Sequence, residues 1–206
     1  SNGEDQKILS DPRSGEIISS SVVAFPNVQT FGASWYLVQA GPLDKRAQQL
    51  PLPDDLSGEL IRSLVAHQVG HTLGLVHNLK ASSTYTVAQV RDPKWVKDMG
   101  YVPSIMDDAG PNYVAQPADG IDPADLLPKI GPYDKFAIAW GYKPVAGSRT
   151  SDQEKPTLDQ WAREQDGKPY LRFSTQGAGD TDPGESPETP DTAAVPLTMR
   201  VRGFAQ

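Results

Sequence analysis

The chain has 206 residues, 37% hydrophobic and 22% charged, with a net charge of −7 and no cysteine. That apolar share is enough for one domain with a proper core. The missing thiols exclude a disulfide scaffold, a thiolate metal site and a cysteine nucleophile, and the negative charge opposes binding to nucleic-acid phosphates.

Taken in chain order, Ser1-Asn2-Gly3 looks like the remnant of a cleaved tag. Gly15 to Phe25 is rich in β-branched and small polar residues and reads as a strand, closed by Pro26-Asn27. Ser34 to Ala47 is ambiguous, because Trp35-Tyr36-Leu37-Val38 suits a strand and Leu43-Asp44-Lys45-Arg46-Ala47 suits a helix. Pro51 and Pro53 end whichever forms. Asp54 or Asp55 can then cap a helix carrying Leu56, Leu60, Ile61, Leu64, Val65, Val69 and Leu73. These positions spread round most of the circumference, which predicts a buried helix.

All three histidines of the chain fall inside the window from His67 to His77. On a helix, His67 and His71 are four apart and project from one face. Gly74 can take a positive φ, letting the chain leave the helix and swing His77 round as a third nitrogen ligand. A lone histidine on a buried helix is usually a satisfied core group, but two at this spacing with a third past a glycine reverse that expectation. Three protein ligands leave a fourth tetrahedral position open, as catalytic zinc sites do.

Leu79 to Gly110 is loop-rich, with one short helix around Pro93 to Met99, and contains Ser104-Ile105-Met106-Asp107. Tyr133 to Trp140 is the next predicted helix, with Phe136, Ile138, Ala139 and Trp140 packing below the histidines and Gly141 as its stop. From about Val145 the character changes, and Gly177 to Pro196 has very few apolar residues, which predicts a flexible or loosely docked segment. Its Asp180, Asp182, Glu185, Glu188 and Asp191 are candidate calcium ligands, although a solvated acidic loop is the plainer reading. No run approaches the roughly 18 apolar residues of a membrane span.

The spacing H-x-x-x-H-x-x-G-x-x-H resembles the long zinc signature of the metzincin metalloproteases, with Gln68 where that family carries its general-base glutamate. Met106 resembles the methionine of the turn that floors the metal in that family without binding it. Further stretches resemble the catalytic region of large bacterial zinc-dependent metalloproteases: Asp11 to Ile17 as an early strand, Asn78 to Ser82, Asn112 to Pro117, and Ile130 to Tyr142. The resemblance covers roughly residues 11 to 145.

It implies an α+β fold, with a small twisted sheet over an active-site helix and an irregular lower subdomain. It implies Zn2+ held by His67, His71 and His77, residue 68 handling the proton, and a peptide or protein substrate. It also implies a bacterial exported protein. The expected organisation is a catalytic domain over residues 1–145 and an acidic, Pro/Gly-rich, partly flexible extension over 146–206. Asp108 stands where that branch usually has a tyrosine, so Tyr113 becomes a candidate oxyanion or substrate contact, with packing as the plainer role. Asn112, Gln116 and Asp119 are further polar residues that can face the cleft.

Gln68 has the shape of glutamate without its basicity, which implies an intact pocket with hydrolysis nearly abolished. Both an engineered Glu-to-Gln variant and a natural pseudoprotease that keeps the cleft for peptide binding fit this pattern. So does a structural metal site in an interaction domain, which a fourth protein ligand would mark.

Overall fold

In a computed structural model, the described residues are 4–24, 27–107 and 109–174. The proposed calcium ligands, the acidic segment from Gly177 and Asp108 lie outside them. The fold is α+β, with a two-stranded antiparallel sheet and six α-helices among the described residues.

Strands β1 (Glu4–Ser10) and β2 (Ile17–Ala24) form a hairpin with an irregularity at Leu9/Ser10. Residues 11–16, expected to lie in a strand, are instead its turn: Gly15 takes φ 76°, the Asp11 amide donates to the Glu16 carbonyl at 2.9 Å, and the Arg13 amide donates to the Asp11 carboxylate at 2.9 Å. An aspartate that accepts from a backbone amide two residues on is a turn former.

Helix α1 (Asn27–Ala40) takes in Trp35 to Val38, so the strand reading of that stretch is overturned. Tertiary contact decides it, because Tyr36 is fully buried and donates its hydroxyl to Asp44 at 3.0 Å. Lys45–Ala47 forms only a short 3-10 turn, which Asp44 caps by accepting from the Arg46 amide.

Helix α2 (Asp54–Thr72) starts directly after Pro53, which takes the cap position. Asp54 and Asp55 are therefore first-turn residues rather than caps, where their charges favour the positive end of the helix dipole. Arg46 donates to Asp44, Asp55 and Glu59 at 2.9–3.1 Å and so fastens the α1–α2 connection to the start of α2. Burial works to raise the Asp44 carboxyl, but the side-chain and backbone donors of Arg46 and the Tyr36 hydroxyl outweigh it and hold the group below its ordinary value. The Arg91 guanidinium does the same to Asp119, with two contacts of 2.7 Å.

A folded carboxyl below its unfolded value stabilises the fold above the ordinary carboxylate range, and that stability is lost as pH falls through the folded value. Arg46→Met is expected to cost about 1–3 kcal/mol at neutral pH and to flatten the acid limb of stability against pH. Urea unfolding from pH 7 downward checks both effects, and an unchanged acid limb would count against this role.

Among the described residues, two clusters make up much of the core. The upper one holds Tyr36, Ala40, Ala47, Leu52, Leu56, Ala115 and Leu126. The lower one gathers Tyr85, Val90, Val96, Tyr101, Val102 and Val114 around helices α3 (Val87–Val90) and α4 (Pro93–Met99). Helix α2 is not buried all round as predicted. Val65, Val69 and Leu73 stay 41%, 44% and 40% exposed, so the described elements leave that side of the helix partly uncovered.

Helix α5 (Pro132–Tyr142) runs through Gly141 rather than stopping there. Its buried residues are Tyr133 and Asp134, whereas Trp140 is largely exposed and donates its indole N–H to Leu158 of helix α6 (Ser151–Ala162) at 3.1 Å. The buried anchor of α5 is thus its first turn, while Phe136 and Ile138 are half-buried and Ala139 and Trp140 exposed.

Candidate metal centre

The last two turns of α2 carry His67 and His71, and the chain leaves the helix through a complete Schellman turn. The Leu75 amide donates to the Gly70 carbonyl at 3.1 Å, the Gly74 amide donates to the His71 carbonyl at 2.8 Å, and Gly74 takes φ 87°. That reversal brings His77 back, with its Nε2 at 3.2 Å from the Nε2 of both His67 and His71. The three rings are half-buried, and their ligand atoms form a group able to hold a metal ion.

The other ring nitrogens fix the chemistry of that cluster. His67 Nδ1 is 2.7 Å from the Ile105 carbonyl and His71 Nδ1 is 2.8 Å from the Leu75 carbonyl. A carbonyl can only accept, so both Nδ1 atoms carry the proton and both Nε2 atoms present lone pairs. The His67 and His71 lone pairs both face His77 Nε2 at 3.2 Å, a convergence that a shared cation can bridge. An ion with metal–nitrogen bonds of about 2.0–2.1 Å places tetrahedral nitrogens about 3.3 Å apart, close to the two spacings at His77, and three imidazole nitrogens suit zinc in element.

Beneath the histidines, Met106 is fully buried against Gly70, the residue before His71. A Cβ at position 70 would collide with the Met106 sulfur. Gly70 was not singled out in the sequence, although a glycine inside a motif helix, where it costs about 1 kcal/mol against alanine, was the available signal. Gly70→Ala is therefore expected to lose about 1–3 kcal/mol through overpacking despite its better helix propensity. Thermal unfolding of the metal-free variant checks this, and a raised melting temperature would show that Met106 can move aside.

The turn bearing Met106 is held by Asp134, another residue the sequence did not reveal. Its carboxylate accepts from Ser104 Oγ at 2.6 Å, the Ile105 amide at 2.8 Å and the Gly131 amide at 2.7 Å. Ser104 Oγ accepts in turn from the Met106 amide at 3.0 Å. Burial pushes the Asp134 carboxyl above its ordinary value, against those donors. The signal was Gly131-Pro132-Tyr133-Asp134, a helix start with an acidic third position. Asp107 accepts from the Ser82 amide at 2.5 Å and so holds the loop that follows His77.

Gln68 is half-buried on α2, three residues before His71 and so on the neighbouring face. Tyr113 packs against the lower cluster with its hydroxyl oxygen shielded from solvent. Asn112 is buried and donates to the Val90 carbonyl at 2.7 Å, Asp119 pairs with Arg91, and Gln116 donates to the Val114 and Ala115 carbonyls. All three brace the lower loops.

An α+β fold with a three-histidine centre at the end of a helix, floored by a buried methionine, defines a metzincin-type protein. The Met-zincin family model matches residues 49–200, most of the chain, and the chain belongs to that family. By family it is a metalloprotease, and the family implies zinc and a peptide or protein substrate. No curated protein and no solved structure matches it. Among the described residues, no helix is long and apolar enough to cross a membrane.

Proposed function

We propose that the chain is the catalytic domain of a zinc-dependent endopeptidase of the kind found in large bacterial metalloproteases, silenced at Gln68. The observation that carries this reading is the convergence of three Nε2 atoms, with Nδ1 of His67 and His71 tied to backbone carbonyls. His67, His71 and His77 hold the ion. When bound, it supplies Lewis acidity to a peptide carbonyl and makes water acidic enough to react near neutral pH. A glutamate at position 68 would take the proton released as water attacks and return it to the leaving amine. The glutamine amide binds in the same space and cannot accept that proton. Met106 sets the apolar floor that keeps the rings in place. The substrate backbone would lie extended along an edge strand of the β1–β2 hairpin, adding to it by backbone hydrogen bonds.

An intact histidine set beside a non-basic residue 68 also supports a second reading, a natural pseudoprotease that keeps zinc and the cleft for peptide recognition.

Metal content of the purified chain tests the centre directly. One zinc per chain is expected, removable by chelator and lost in His71→Ala. A chain that takes up no zinc after dialysis against it would overturn both readings.

A further inference from the structure

We propose that Asn78 is a positioning residue for the metal centre, clamping the extended segment Arg172–Ser174 beside His77 so that metal affinity depends on a strap almost a hundred residues away. The proposal rests on reading the three histidines as a metal site.

Asn78 directly follows His77 and is fully buried. Its amide donates to the Met106 carbonyl at 2.9 Å, and its carbonyl accepts from the Ala81 amide at 3.1 Å. Its side chain grips the strap from one side. Nδ2 donates to the Arg172 carbonyl at 3.1 Å, and Oδ1 accepts from the Ser174 amide at 3.2 Å. An asparagine that pairs with the carbonyl of one residue and the amide two positions on copies the pairing of a neighbouring strand.

The strap is anchored before its start and at its middle. Leu171 is buried, and the Phe173 ring stacks on Tyr133 at 6.1 Å between centroids, within the first turn of α5 that holds the methionine turn. His77, unlike His67 and His71, lies on no helix, so its placement depends on the backbone that follows it. Asn78 connects that backbone to the methionine turn on one side and to the strap on the other. Groups that orient ligands in this way typically change metal affinity by about 10–100-fold when removed.

The test is zinc affinity, by competition against a chromophoric chelator, and the visible spectrum of the Co2+ form, on the full chain with folding checked by circular dichroism. Asn78→Ala is expected to weaken zinc by about 10–100-fold and to alter the cobalt bands. Asn78→Asp keeps the acceptor for Ser174 and loses the donor to Arg172, so it should fall between. Ser174→Pro removes the strap's amide donor and holds the strap extended before it, far from the ligands in sequence, and is expected to weaken zinc by about 5–10-fold, the worth of one hydrogen bond. Ser174→Ala keeps that amide and should match the unsubstituted chain. Lower melting temperatures with unchanged zinc affinity and cobalt spectra in Asn78→Ala and Ser174→Pro would reduce Asn78 to a packing residue and overturn the proposal. A chain that binds no metal before any substitution would overturn the metal reading itself.

Discussion

Gln68→Glu is expected to raise chelator-sensitive peptide cleavage by roughly 10²–10⁴-fold, the usual worth of a general base, with zinc content unchanged. The structure already supplies the other requirements. His67 and His71 have their tautomers set by Ile105 and Leu75, the Gly74 turn has delivered His77, and Met106 is seated. The substitution exchanges one amide nitrogen for oxygen, so it adds basicity with almost no change of shape. The gain should lie in kcat more than in KM, because a proton acceptor acts as water attacks and not when the peptide docks. It should also bring an acid limb to the pH–rate profile, absent from the glutamine form. A peptide-library assay of both forms with matched zinc content is decisive. If the glutamate form stays as inert as the original, the silenced-enzyme reading fails and the peptide-binding module takes its place.

The second large effect is expected at Asp134. Asp134→Ala leaves Ser104 Oγ and the Ile105 and Gly131 amides without their acceptor in a buried position. Each buried donor left unsatisfied costs about 1–3 kcal/mol, and the loss should appear as a sharp fall in unfolding midpoint together with weaker zinc binding. Asp134→Asn should cost far less. Its Oδ1 can accept from both amides while its Nδ2 donates to Ser104 Oγ, whose hydroxyl turns to accept. The two variants also separate charge from hydrogen bonding. With the folded carboxyl above its ordinary value, the folded state keeps a proton that the unfolded state releases. Stability contributed by that proton is therefore present at low pH and lost as pH rises through the folded value. This is the opposite sense to Asp44 and Asp119, so Asp134→Asn should remove a decline toward higher pH and leave the acid limb untouched. Equal stability of the alanine and asparagine forms would show that the network does not hold the turn.

Much of the site was legible in the sequence because its ligands are local. His67, His71, Gly74 and His77 lie within three turns of chain, where helix geometry and one positive φ translate spacing directly into position. What holds the ligands was not legible, because it comes from distant chain. Ile105 is 38 residues from His67, Asp134 is 29 from Ile105, and Arg172 is 94 from Asn78. No local periodicity records such pairings. The ambiguity over Trp35 to Val38 had a similar cause: the side chains suit either element, and burial of Tyr36 against Asp44 settles it. The expected burial of α2 failed for another reason, since an apolar sequence states what a helix can bury and not how much neighbouring surface arrives to cover it.

The span between Asn78 and Arg172 bears on the order in which the molecule assembles. Contacts closed over long loops form late, because the loop entropy must be lost before the contact rewards it. A nascent chain that has already emerged through His77 still lacks the methionine turn, the first turn of α5 and the strap. His67 then lacks the Ile105 carbonyl that orients its ring, and His77 lacks the backbone that holds Asn78, so their grip on an ion is correspondingly poorer. If the three histidines hold an ion, its full affinity is therefore expected only after the strap segment has been made and packed. Pulse-labelled chains should acquire chelator-resistant metal only once Ser174 has been made.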